Sequence, residues 1–133
     1  MNETNVAMAN QISKAVTEFQ KQSTGHAPSA VSVVLSDDTL VITLHDALSP
    51  AEKMLAAQPA GAAQVQEFHR QLFSNASASF KGEIKRITGR VVRESAAEVE
   101  TTIGSVVHAF TTGTMVQALL LTKGRSATNV GTT

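Results

Sequence analysis

The sequence contains no cysteine. Disulfides, zinc–thiolate sites and thiol nucleophiles are therefore excluded, although that absence does not fix the compartment. Tryptophan and tyrosine are missing too, which weakens any reading built on stacking bases or sugars against aromatic rings. Five phenylalanines remain, most of them at core-like spacing. Neither sign of charge is in excess: 11 acidic residues balance 11 basic ones. Such a chain is not built to grip nucleic acid through bulk charge, and no nucleic-acid partner is expected. Long apolar runs are lacking as well. The longest cluster, Met115 to Leu121, is interrupted by Gln117 and falls short of the roughly 20 apolar residues that span a bilayer. Met1 to Asn10 have neither the basic start nor the apolar run of a secretory signal. The expectation is a soluble, cytoplasmic protein. Phosphate-cradling glycine motifs and the Gly-x-Ser-x-Gly nucleophile elbow are also absent.

What is present is a pattern used twice. Thr24-Gly25 ends one helical stretch and Thr88-Gly89 ends another, and each is followed by two β-rich runs. Met8, Ile12, Val16 and Phe19 put one apolar face on a first helix over about Glu3 to Ser23. Gly25 stops it, since glycine adopts the left-handed cap without steric cost, and Pro28 disfavours resumption. Val31 to Leu35 and Leu40 to Leu44 alternate as strands around the turn-forming Ser36 to Thr39. Ser49-Pro50-Ala51-Glu52 reads as a helix start with a reciprocal cap, and Pro59 with Gly61 breaks that short helix. A long helix over about Ala62 to Thr88 is expected to bury Val65, Phe68, Leu72, Ala76, Phe80, Ile84 and Ile87. Gly82 inside it suggests a close approach by another backbone. Arg90 to Val99 and Ser105 to Phe110 form a second hairpin around Thr101 to Gly104. Thr114 to Leu121 fits either a helix or an added strand, and residues 122–133 read as a flexible polar tail.

Two αββ units predict an α+β fold: a four-stranded antiparallel sheet with helices packed on one face, in a single domain over residues 1–121. The other face, with Ser32, Val34, Val41 and Thr43, is half apolar and invites a partner, most simply a second copy of the chain.

Four histidines, His26, His45, His69 and His108, are the main candidates for chemistry. His45, Asp46 and His108 could bind a metal or move a proton, but no pair shows ligand spacing, and no nucleophile, base and orienting group assemble around them. Surface or strand-end histidines are the plainer reading. Arg70 could hold an anion such as bicarbonate or phosphate; an ion pair with Glu67 or another acid is the commoner use of such a residue. Glu52 is better explained as a cap than as a general acid. Lys81, Lys85, Arg86, Arg90 and Arg93 form a basic cluster that offsets the dipole of the long helix. No catalytic set, metal site or cofactor is expected, and Arg70, His69, His45 and His108 stand as the binding candidates.

Asn10-Gln-Ile-Ser-Lys-Ala-Val16, Gly25-His-Ala-Pro28, Leu48-Ser-Pro-Ala-Glu-Lys-Met-Leu-Ala56, His69-Arg70, Ile87-Thr-Gly89 and Val106 to Phe110 together resemble the MpsC-like family of small bacterial proteins. The likeness covers about residues 7–113. It implies a small soluble component of a sodium-translocating, membrane-potential-generating system, working beside an antiporter-like membrane subunit and a large cytoplasmic subunit related to inorganic-carbon uptake. It supplies no catalytic residues. The resulting expectation is a non-enzymatic accessory subunit, homodimeric, docked on membrane-transport partners; the alternative is a small anion-binding or weakly catalytic protein.

Overall fold

The computed structural model describes residues 3–36 and 38–112. Its elements run α1 (Glu3–Thr24), β1 (Ala30–Leu35), β2 (Thr39–His45), α2 (Pro50–Ala56), α3 (Pro59–Thr88), β3 (Glu94–Glu100) and β4 (Ser105–Thr111). The four strands form one antiparallel sheet in the order β1-β2-β4-β3. The αββ repeat is thus real: β2 and β4 lie at the centre, β1 and β3 at the edges, with α1 packed against β1 and α3 against β3.

Both long helices stop by the same device. Gly25 (φ +77°) and Gly89 (φ +76°) occupy the left-handed region, and their N–H groups donate to Lys21 O and Lys85 O at 2.8 and 2.7 Å. The threonine before each glycine donates its hydroxyl one turn back, Thr24 to Gln20 O (2.8 Å) and Thr88 to Ile84 O (2.7 Å). The same Oγ1 then accepts from the N–H two residues on, His26 and Arg90. Orphan carbonyls at both helix ends are satisfied in this way.

One sheet face builds the core. Leu40, Ile42 and Leu44 of β2 and Val106 and Phe110 of β4 meet Ala97 and Val99 of β3, Ile12 and Val16 of α1, and Val65, Phe73, Phe80 and Ile84 of α3. On the other face Ser32, Val34 and Thr43 are half-buried. Val41, expected to be open there, is only 6% exposed, because it stands on a central strand between Val34 and Ala109.

Several boundaries and faces differ from the sequence expectation. The long helix begins at Pro59, not Ala62, so Gly61 lies inside its first turn and is no breaker. Its lack of a side chain has a different cause: a Cβ there would sit 1.8 Å from Leu55 O at the end of α2. Gly82 marks no close approach among the described residues, none of which lies within 4 Å of its missing Cβ. The buried stripe of α3 runs Val65, His69, Phe73, Phe80, Ile84; Phe68 is exposed and Leu72 and Ala76 only half-buried. The third strand begins at Glu94, not Arg90, because residues 90–93 carry the chain from the helix layer to the sheet, with Arg90 Nη1 donating to Ser36 O (2.8 Å) and Val92 packed on the core. Thr114 to Leu121 and the tail lie outside the described residues.

Candidate functional site

After β2 the chain turns sharply at Asp46, the one described non-glycine residue with positive φ (+52°). Ala47 N–H donates to Gly104 O (2.8 Å), which ties this turn to the turn between β3 and β4. Leu48 is buried in the core, and Ser49 opens α2 with a reciprocal cap. Glu52 N–H donates to Ser49 Oγ (3.2 Å), and Ser49 N–H donates to Glu52 Oε1 (3.0 Å). No residue of α2 is fully buried; Ala56 packs against the core, and two polar anchors add to its hold. One is the exposed ion pair of Lys53 Nζ with Asp46 Oδ1 at 2.8 Å, which keeps the Asp46 carboxyl below its ordinary range.

The other anchor uses the second oxygen of Glu52. His69 Nε2–H donates to Glu52 Oε2 at 2.6 Å. Side-chain exposure is 3% for His69 and 14% for Glu52. One carboxylate therefore serves two masters, the helix cap through Oε1 and the core histidine through Oε2. Burial pushes the Glu52 carboxyl upward, but the hydrogen bond from His69, then those from Ser49, outweigh it, and its pKa lies below the ordinary value.

His69 holds its place because it falls one turn after Val65 and one turn before Phe73 on the buried stripe. His108 lies in the same interior. It alternates in phase with Val106 and Phe110, and its register partners are Ile42 and Ala97. Phe73, tilted, and Phe80, edge-on, pack against its ring at centroid distances of 4.7 and 5.4 Å. Its Nδ1 is buried, with no hydrogen-bond partner among the described residues. Burial among these rings, helped by the nearby charge of His69, drives its pKa down to about 3. The ring is neutral at physiological pH, and the expectation of surface or strand-end histidines fails for both His69 and His108.

The four binding candidates do not converge. His69 and His108 share the core. Arg70 points to the surface, where Nη2 meets Glu98 at 3.3 Å and Nη1 meets Glu67 at 3.8 Å. His45 ends β2 on the far face, with Nε2 2.9 Å from Ser32 Oγ. Among the described residues, no group of three or more His, Asp or Glu could hold a metal ion. Sequence reasoning missed the second bond of Glu52 and the burial of Phe73. A signal existed: a carboxylate capping through one oxygen has another to offer, and Val65, His69 and Phe73 follow at intervals of four.

Glu52 belongs to the Leu48 to Ala56 segment and His69 to the His69-Arg70 pair, two pieces that are remote in sequence and meet in space. They sit in a small αββ-αββ protein whose family can now be stated. The chain belongs to the MpsC family, described as "Na+-translocating membrane potential-generating system (MpsC)", whose sequence model matches residues 4–113. A relative is the uncharacterized protein YbcI of Bacillus subtilis (strain 168), 23% identical over 110 residues, which cover 83% of this chain and 89% of that protein. No solved structure matches.

Proposed function

We propose that the chain is a non-enzymatic accessory subunit that docks, as a homodimer, onto a larger membrane assembly moving sodium or inorganic carbon. It works in the cytoplasm, held at the inner face of the membrane by that partner. The observation that carries this reading is the reach of the family match. Residues 4–113 take in the helices and strands almost completely, and the family's description is of a sodium-translocating system. The internal chemistry supports it: Glu52 anchors α2 to the core, His108 fills a pocket between phenylalanines, and Arg70 is engaged by two glutamates. Among the described residues no helix is long and apolar enough to cross a membrane, which fits attachment through a protein partner. Crosslinking in intact cells, followed by isolation of the tagged protein from membranes, tests it. A membrane subunit of an ion or inorganic-carbon transporter is expected to co-purify; recovery of no membrane protein overturns the reading.

A weakly catalytic or anion-binding role at Arg70, His69, His45 or His108 draws on one observation, the pairing of the half-buried Glu52 carboxylate with the buried His69 imidazole, which is a common proton-handling unit. The scatter of the four residues counts against it. Calorimetric titration with bicarbonate and with phosphate separates the two readings, with no binding heat expected.

A further inference from the structure

The two edges of the sheet are not equivalent. β3 carries Glu94, Glu98 and Glu100, all exposed. Charged side chains are a standard means of keeping an edge from pairing with another chain. A second copy of β3 laid antiparallel on it would bring like charges together. β1 is Ala-Val-Ser-Val-Val-Leu over Ala30–Leu35, with no charge and no proline. Its register with β2 runs through six consecutive pairs without a bulge. Every residue after the exposed Ala30 is only half-buried, whereas most of β2 is buried. Among the described residues, none of the usual devices protects this edge.

The backbone of β1 is arranged to receive another strand. Ser36 N–H donates to Thr39 O at 2.8 Å. In an antiparallel ladder the exchanging residues alternate, so with this register residues 30, 32, 34 and 36 turn their groups toward β2. Those of Val31, Val33 and Leu35 point away from the sheet, and no described strand pairs with them. We infer that two copies of the chain join through β1, antiparallel about a two-fold axis at Val33, into one continuous eight-stranded sheet. This assigns a surface to the homodimer proposed above and rests on that reading. Val33 faces its own copy, Val31 faces Leu35 and Ser32 faces Val34. All these pairs are uncharged, and the strand is self-complementary as an isologous contact requires.

The full chain has no cysteine, which allows a direct test. Ser32 and Val34 of opposite copies form the non-hydrogen-bonded pair, with Cα atoms about 4.5 Å apart, within disulfide reach. Mixed Ser32→Cys and Val34→Cys chains are expected to give a mixed disulfide under mild oxidation, and either chain alone much less. Val33→Pro removes an N–H that only the second copy would use, so sedimentation is expected to show at least a tenfold weaker dimer while circular dichroism still reports the fold. Where Val33→Pro fails to fold, the mixed-disulfide result decides. A wild-type chain that stays monomeric at 100-fold above its working concentration overturns both the dimer and this surface. A wild-type dimer that survives Val33→Pro, or that forms no mixed disulfide, overturns the surface and leaves the dimer standing.

Discussion

Acidification is expected to expose the cost of His108. The unfolded chain presents this ring to water, where it takes a proton near the ordinary pKa of 6.5; in the fold that falls to about 3. Between these values the unfolded state binds more protons than the native state, so stability rises with pH and is lost as pH falls. Above 6.5 there is no penalty. Below it, stability declines by about 1.4 kcal/mol per pH unit, reaching roughly 2 kcal/mol at pH 5 and levelling off at about 5 kcal/mol below pH 3. The groups around the ring are Ile42 from β2, Ala97 from β3, and His69, Phe73 and Phe80 from α3. None offers a carboxylate directly; Glu52 is bonded to His69. His108→Phe removes the titrating group and its unpartnered Nδ1 while keeping a flat ring between Phe73 and Phe80. At pH 7.5 its stability is expected within about 1 kcal/mol of wild type, as relief of the unmet polar atom offsets tighter packing. The assay is urea unfolding at pH 7.5 and 5.0, followed by far-ultraviolet circular dichroism because the chain lacks tryptophan and tyrosine. The wild type should lose about 2 kcal/mol more than the variant over this interval. Equal losses in the two proteins would refute the reasoning.

Glu52→Ala leaves the His69 donor buried and removes half of the helix cap, for a loss of about 3 kcal/mol. Glu52→Gln offers one acceptor oxygen in place of two and should lose about 1 kcal/mol, both read by urea unfolding. Because the Glu52 carboxyl is held below its ordinary pKa of 4.5, its contribution is present above that pH and is lost as pH falls further, so wild type should show an extra stability loss below pH 4.5 that Glu52→Gln lacks. Gly61→Ala forces Leu55 O aside and should cost about 2 kcal/mol despite alanine's better helix propensity. Gly82→Ala, in open space on the same helix, should gain about 1 kcal/mol, seen as a rise in melting temperature of about 4 °C.

The architecture was legible because its signals are local. The Thr-Gly stops, the alternating strands and the Ser49 to Glu52 cap each depend on a few neighbouring residues, and all appear in the structure. The site was far less legible. A buried histidine bonded to a half-buried glutamate looks polar in a hydropathy pattern, so the pattern points to Phe68 and Leu72 for the stripe of α3, whereas its true phase includes His69 and Phe73. The partner that permits His69 in the core is 17 residues away on another helix, and periodicity within one helix cannot show it. His108 was closer to readable, since strict alternation from Val106 to Phe110 already places it inward.

The duplicated order of elements bears on how the chain acquires its shape. Each hairpin closes over a short turn, so β1 with β2 and β3 with β4 need only nearby residues to find one another. Among the described strands, the sheet joins its two halves where β2 meets β4, with Thr39 against Thr111 and Leu44 against Val106, more than sixty positions apart along the chain. Closing so long a loop is the slow, entropically costly event. Refolding should therefore be paced by the zipping of that central pair, and substitutions at Ile42 should slow it more than equally buried ones at Ile12.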